Sequence, residues 1–465
     1  MRELTIGEIC SACGGTLLSG DPETRVRYFS IDSRDVPEGT FFVPVIGEKV
    51  DAHRFLGDVR EKGALGAFTS EGDPFTGETG NRDMALIAVQ DTVKALQDTG
   101  ALVRERIRIP LAAVTGSVGK TTTREMTAAA LSAKYRTFRT PNNNNGQLGV
   151  PLTMTKIGEE DQFAVIEMGM SIPGEMTKIS RVARPDAVVF TNVGDAHIEQ
   201  LGSRENILRE KLHIQDYMPE HAVMFLNGDD PLLRSCTLRE GFRKILYGTA
   251  PDCDFYAEDI RLENGCARFT AVTPEGKVPA ALGVYGTHQV LNAMAALSTA
   301  VWFGADPQLA AEKLGEFRGY RHLQQIIVNN GIVIVDDSYN ASPASMKAGI
   351  DILKSLTPEG RRIAVLGDMK ELGDSAEEMH REVGAYLAEK RAADQLFVLG
   401  SLGRFLAEGA RDAGFPESSI SCVEDRGELG DKLERFVREG DAVLFKASNS
   451  MKLFELADRM GGNAE

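Results

Sequence analysis

The chain has 465 residues, 42% hydrophobic and 26% charged, with a formal net charge of −16 from 52 basic and 68 acidic side chains. That length provides for two to four domains with ample apolar material for their cores, so neither metal nor disulfide is needed to hold the fold. The negative field excludes general binding to nucleic acid or to an anionic membrane surface, and the lack of any run of about 18 apolar residues excludes membrane insertion by a helix.

Met1 to Thr5 carries no apolar stretch of the kind that opens a secretory signal, which makes the cytoplasm the expected location. Cys10 and Cys13 form a C-x-x-C, but Cys236, Cys253, Cys266 and Cys422 are scattered singly, so a structural zinc site lacks its second pair. The pair reads as two small thiols on a helix that ends at Gly14-Gly15. Up to about residue 108 the chain mixes short strands and turns. Ser30-Ile31-Asp32-Ser33-Arg34 leads through a turn at Pro37-Glu38-Gly39 into the apolar run Phe41 to Val45. Glu71 to Asp83 reads as a loop, and Arg104 to Arg108 as a basic linker before Pro110.

From Leu111 short apolar runs alternate with helical stretches, the pattern of an α/β fold with a mostly parallel sheet covered by helices. Strands are expected at 111–115, 163–167, 187–191 and 222–226, and a helix over 203–217. Beyond a boundary near Gly319-Tyr320-Arg321 the pattern repeats, with strands expected at 332–335, 363–366, 396–399 and 442–445. In open parallel sheets ligands bind at the carboxyl ends of the strands.

The strongest signal is Leu111-Ala112-Ala113-Val114-Thr115-Gly116-Ser117-Val118-Gly119-Lys120-Thr121-Thr122-Thr123. A buried strand runs through a glycine turn into a helix. Glycines let backbone amides converge on phosphate oxygens, and the helix start adds its positive dipole end. Lys120 is placed to neutralise β- and γ-phosphate charge, and Thr121 to ligate Mg2+. The usual spacing has a further glycine where this chain has Val114, so the loop is a shortened one. Nucleotide binding by itself leaves a switch, a motor and a ligase all open.

Other strand ends carry chemistry too. Glu167, followed by Met168-Gly169, is placed to hold Mg2+ beside the loop. His197, in Thr191-Asn192-Val193-Gly194-Asp195-Ala196-His197, is a candidate metal ligand through its neutral imidazole. Lys211 reads from the residues alone as an exposed helical lysine. His288 and Asn292 share a helix face suited to a purine edge, or to a cap and packing. Asp336 and Asp337 end a buried strand, where two adjacent acids require a cation or the polar groups of a nucleotide. Arg321 is a candidate to reach phosphate.

Taken in order, the phosphate loop, Glu167 with Gly174-Glu175, Thr191 to Gly194 with His197, Gly202-Ser203-Arg204-Glu205 before Lys211, His288 with Asn292, and Asp336-Asp337-Ser338-Tyr339-Asn340-Ala341 resemble the Mur ligase family over nearly the whole chain. Further pointers within it are Gly149 to Thr153 and Val365 to Gly373 with His380. The resemblance implies a domain for a UDP-linked precursor (1–108), a central P-loop ATPase domain (109–319) and a Rossmann-like carboxy-terminal domain (320–465). It implies an ATP-dependent ligase of peptidoglycan-precursor synthesis that joins a carboxylate to an amine through an acyl phosphate. The implied partners are UDP-N-acetylmuramoyl-tripeptide and D-alanyl-D-alanine, and the implied state is a monomer. The implied cofactors are ATP and two Mg2+ ions, with Lys211 carbamylated. Lys120, Lys211 and His197 would be catalytic. Gly116 to Thr122, Asn292, Arg321, Asp337 and Asn340 would contact ATP, and Thr121, Glu167, His197 and Lys211 the metals. Ser30, Asp32, Ser33, Arg34, Asn143 and Asn145 would contact the precursor. Gly146 and Gln147 stand where the family usually has Asn and an acid. Ala447 and Asn449 replace Gly and Arg, and Ala52 replaces Gly. A ligase for another amine component such as D-alanyl-D-lactate, and a non-catalytic nucleotide-binding scaffold, are the alternatives.

Overall fold

Apolar runs that cannot be exposed on either face must be covered by helices on both sides, and three such sheets organise the computed structural model, which describes residues 3–75, 84–263 and 265–462. The amino-terminal sheet has five strands in the order Thr16–Ser19, Ala85–Ala88, Gly66–Thr69, Thr40–Phe42, Tyr28–Ser30, antiparallel only at its first pair. The larger part of the loop expected over 71–83 lies outside the described residues. The helix Ile6–Cys13 starts in a capping box of Thr5 with Glu8 and ends at Gly14 with φ 61°, which bears out the reading of the two thiols.

The central sheet has nine strands. Leu111–Thr115 lies between Ala187–Phe190 and Phe163–Glu167, parallel to both and wholly buried. The chain fills one side of this strand first and then the other, so its carboxyl end is the switch point where a crevice opens. Beyond Val223–Asn227 and Arg243–Gly248 the sheet continues into Phe255–Glu263, Cys266–Thr273 and Gly276–Tyr285, the last two antiparallel additions that the sequence reading did not anticipate. Their inward residues, among them Phe255, Phe269 and Val284, pack under the helices Gln289–Trp302 and Pro307–Glu316. Alternating half-buried strands of this kind carry a weaker signal than continuous apolar runs.

The carboxy-terminal sheet has six strands in the order Gln325–Asn329, Ile332–Asp336, Ala442–Lys446, Arg362–Gly367, Gln395–Leu399, Ile420–Val423, parallel except for the first pair. It has cores of its own on both faces. By contrast, one apolar cluster runs without a break from Leu4 and Phe41 to Ile166 and Leu226, so the amino-terminal and central sheets share a core.

Two local expectations are corrected. Arg104 to Arg108 is no linker, because the helix Thr92–Arg106 runs into it. The half-buried Arg104 guanidinium donates to Ala183 O (2.8 Å), Arg184 O (3.1 Å) and Asp186 Oδ2 (2.9 Å). The helix expected over 203–217 is α-helical for Arg204–Leu212 and tightens to a 3-10 turn over His213–Tyr217. Among the described residues no helix is long and apolar enough to cross a membrane.

Candidate active site

The turn after Leu111–Thr115 is shaped by two glycines at positive φ, 139° for Gly116 and 83° for Gly119. A Cβ at Gly116 would lie 2.0 Å from Thr191 Oγ1, so no larger residue fits. Gly119 opens the helix Lys120–Leu131 without a side-chain cap, leaving first-turn amides free to face an anion. The neighbouring strand end braces the loop. Ser117 N donates to Asn192 O (3.0 Å) and Val118 N to Asn192 Oδ1 (3.0 Å). Thr191 Oγ1 and Asn192 Nδ2 donate to Val118 O at 2.7 and 2.9 Å. Lys120 Nζ folds back onto the carbonyls of Gly116 (3.0 Å) and Ser117 (3.1 Å). Burial lowers its pKa from the ordinary lysine value, against the pull of Glu167 and Glu371.

Glu167 is 1% exposed at the next strand end. Its Oε2 accepts from Thr121 Oγ1 (2.8 Å) and Arg124 Nη1 (3.2 Å), and its Oε1 from Asn145 Nδ2 (2.8 Å). Two hard oxygen donors meeting at the phosphate loop, one anionic and one a rotatable hydroxyl, fit the ligand chemistry of Mg2+. Asn145 also holds Asn143 Oδ1 at 2.8 Å, so both asparagines are brought to Glu167. The segment then continues into the helix Gly149–Lys156, which packs on the strand Tyr28–Ser30. Just beyond that strand Ser30 Oγ donates to Asp32 O (3.0 Å), and Arg34 Nη2 grips Asp32 Oδ2 at 2.7 Å, holding that carboxyl at about 2. Lys62 Nζ donates to Ser33 O at 2.6 Å.

Arg124 was not singled out by the sequence reading. It is fully buried and holds Glu125 Oε1 (2.6 Å), Asn142 O (2.9 Å) and Glu167 together, with Tyr320, just ahead of the carboxy-terminal sheet, 5.4 Å away as a cation–π partner. An arginine beside an acid on a helix carries no sign that it will be interior, so nothing local marked it.

Lys211 is 1% exposed, not the surface lysine that its residue type suggests. Its Nζ makes no hydrogen bond or ion pair with any described residue. Desolvation, then repulsion from Lys120, drives its pKa well below the ordinary lysine value, with Glu210 opposing. His197 lies in the left-handed region, φ 65°, and its Nδ1 is 2.7 Å from Glu371 Oε2. Hydrogen bonding to His197, outweighing burial, lowers the Glu371 pKa.

From the carboxy-terminal sheet, Asp337 is 2% exposed with Lys446 Nζ 2.7 Å from its Oδ2, and Asp336 has His322 Nδ1 at 2.6 Å. The cation that two adjacent buried acids demand is thus Lys446, helped by a histidine. Lys446 Nζ also donates to Asn340 O (3.0 Å), while Arg321 pairs with Asp458 (3.0 Å). Asn449 Nδ2 donates to Tyr339 O at 3.0 Å. Asn292 Oδ1 accepts from Thr123 Oγ1 (3.0 Å), which ties its helix to that of the phosphate loop. His288 Nε2 lies 2.9 Å from Gln324 Oε1.

The site spans two segments that match known family patterns: the Mur ligase middle domain over residues 114–300 and the Mur ligase glutamate ligase domain over 323–449. The chain belongs to the Mur ligase family. It is 37% identical to the UDP-N-acetylmuramoyl-tripeptide--D-alanyl-D-alanine ligase of Bacillus subtilis (strain 168) over 98% of each chain. It is 34% identical to the ligase of the same name from Synechocystis over 93% of this chain and 91% of the relative. Among solved structures, MurF from Acinetobacter baumannii superposes with TM-score 0.86 at 28% identity, covering 99% of both chains. MurF ligase from Thermotoga maritima in complex with ADP does so with TM-score 0.79 at 28% identity, covering 94% of this chain and 98% of that one. Residues 301–322 separate the two Mur ligase segments; the contact His197–Glu371 crosses between them, and Arg124 reaches Tyr320 in the stretch that joins them.

Proposed function

We propose that this chain is an ATP-dependent ligase that adds D-alanyl-D-alanine to UDP-N-acetylmuramoyl-tripeptide by way of an acyl phosphate, acting in the cytoplasm as a monomer. Residues 1–108 would take the UDP end of the precursor, with Ser30, Asp32, Ser33 and Arg34 contacting it. Residues 109–319 would bind ATP, and residues 320–465 would present the amine.

The observation that carries this reading is unbalanced positive charge at the mouth of the phosphate loop. Lys120 is held by carbonyls alone, and Lys211 is buried with no partner among the described residues. A buried lysine without an acid partner is costly to keep charged, so at a crevice it either meets an anionic ligand, as for Lys120, or gives up its proton, as for Lys211. A carboxylate oxygen is a poor leaving group; when it attacks the γ-phosphorus, the bond from that phosphorus to the β-phosphate oxygen breaks, ADP leaves, and the resulting acyl phosphate carries phosphate as its leaving group. That step brings two anions together, so positioning and charge neutralisation carry the catalysis. Lys120 and the uncapped amides at the start of the helix Lys120–Leu131 would neutralise the transferred phosphoryl group, with residues 116–122 wrapped around it. The amine nitrogen then bonds to the carbonyl carbon, the acyl C–O bond to phosphate breaks, and the amine gives up a proton.

Mg2+, when bound, supplies further charge neutralisation at the phosphates. Thr121, Glu167 and His197 would hold it. Lys211 would join them as a carbamate, formed when its uncharged amine bonds to CO2 and loses a proton, which replaces repulsion of Lys120 by attraction. Asn292, Arg321, Asp337 and Asn340 would line the ATP.

The deciding assay gives the purified protein ATP, Mg2+, UDP-N-acetylmuramoyl-tripeptide and a panel of acceptors including D-alanyl-D-alanine and D-alanyl-D-lactate. Phosphate release that requires both precursor and D-alanyl-D-alanine is expected. Binding of ATP and precursor without turnover would overturn the reading.

A further inference from the structure

Two residues from different sheets meet where neither backbone is relaxed. His197 and Glu371 both adopt left-handed backbone, φ 65° and 64°, a conformation that side-chain-bearing residues seldom take. Their side chains meet with Nδ1 2.7 Å from Oε2, His197 coming from the central sheet and Glu371 from the carboxy-terminal one. The loop bearing Glu371 is secured on both sides. Met369 N donates to His380 Nε2 (3.0 Å), Lys370 N to Ser448 Oγ (2.9 Å), and Ser448 N to Asp368 O (3.0 Å). Two residues further on, Gly373 sits so close to Glu199 that an added Cβ would lie 3.2 Å from its Cβ. His197 is itself tied to the phosphate loop through the strand-end segment that begins at Thr191 and Asn192.

His197 Nδ1 lies within ion-pair distance of Oε2 without an aligned N–H bond, and a small turn of the ring places its proton on Nδ1 toward the carboxylate and leaves the Nε2 lone pair for a metal. Carboxylates that orient metal-binding imidazoles in this way strengthen the ligand and set its ring angle. We infer that Glu371 is a positioning residue that orients His197 as a metal ligand, so the divalent-ion site of the central sheet is completed by a side chain from the carboxy-terminal sheet. Divalent-ion affinity and seating of the carboxy-terminal body are then one linked equilibrium. The inference rests on the role given to His197 above, but its test needs no turnover.

Binding of Mn2+ is measured by the electron paramagnetic resonance of the free ion, with the full chain and a nonhydrolysable ATP analogue. Glu371→Ala is expected to weaken Mn2+ binding about tenfold or more. Glu371→Gln, which keeps an oxygen facing Nδ1, is expected to recover part of the loss. In a His197→Ala background, Glu371→Ala is expected to add nothing, because its effect passes through the imidazole. Unchanged Mn2+ affinity in Glu371→Ala would overturn the inference. An equal loss in both backgrounds would too, since Glu371 would then act on the ion or on domain seating without His197. A chain that fails the ligase assay yet shows this coupling loses the proposed function and keeps the inference; active chains without coupling show the reverse.

Discussion

At the carboxyl ends of the central sheet, cations exceed the partners offered to them, whereas across the seam Asp336, Asp337 and Lys446 are matched within their own body. Both clusters are interior, and both sit where parallel strands end. The difference separates two uses of buried charge. Lys446 and Asp337 pair at 2.7 Å and hold two neighbouring strand ends and the loop at Asn340 together. Lys120 and Lys211 have no such closure: Lys120 offers its charge, and Lys211 an amine pushed toward its neutral form, to something that arrives. Unmatched charge calls for a charged ligand, whereas matched charge holds the fold together and, as proposed for Asp337, meets a ligand without needing its charge.

The comparison can be broken by substitution, beginning with the largest effect. Lys120→Ala is expected to lower ligase turnover by about 10³-fold or more, as loss of a charge aimed at a transferred phosphoryl group does. Near-normal phosphate release would remove the argument from unmatched charge. Lys211→Ala is expected to be inactive and to regain some turnover with short carboxylic acids, which replace the carbamate. The same site gives the sharper contrast through Lys211→Met. That variant should unfold at an equal or higher temperature, since a buried amine without a partner is replaced by an apolar chain of similar length.

Lys446→Met should do the opposite, leaving Asp337 buried and alone. A loss of roughly 3 kcal/mol is expected in urea unfolding followed in the carboxy-terminal body. If Lys211→Met and Lys446→Met changed stability alike, the distinction between the clusters would fail. The smallest effect concerns Asp441, 2% exposed. Burial raises its pKa, but bonds from Arg361 Nη2 (2.7 Å), Arg361 N (2.8 Å) and Arg438 N (2.9 Å) outweigh this and leave it lowered. A lowered folded-state pKa adds stability above the ordinary carboxylate range, and that stability disappears as pH falls through the folded value. Asp441→Asn should therefore be destabilised at pH 7 by about 1–3 kcal/mol, with the gap to the parent narrowing in acid. A gap independent of pH would refute the assignment.

Much of the site could be read without coordinates because its signals are contiguous. The strands at 111–115, 163–167 and 442–445 are runs of side chains with nowhere to go but a covered sheet, and they lie within a residue of the observed elements. The glycine turn from Gly116 to Lys120 is equally local, since its conformation is set by residues that neighbour one another in the chain. His197 and Glu167 were placed by the rule that parallel strands present their ends to a ligand. The strands from 255 to 285 were missed because half-exposed alternation is a weak pattern.

Sequence alone thus marked out the phosphate loop, because such a loop is a backbone device whose glycines, lysine and helix start must be consecutive. It also settled that the strand ends would carry the acids. Folding in three dimensions decided which charges would meet: Arg124 with Glu167, Lys446 with Asp337, and Glu371 with His197, partners separated by 43, 109 and 174 positions in the chain. Coulomb interactions depend on distance in space and on the surrounding dielectric, and neither is written in residue order. For the same reason the isolation of Lys211, which matters most to its proposed chemistry, became visible only once its neighbours were packed around it.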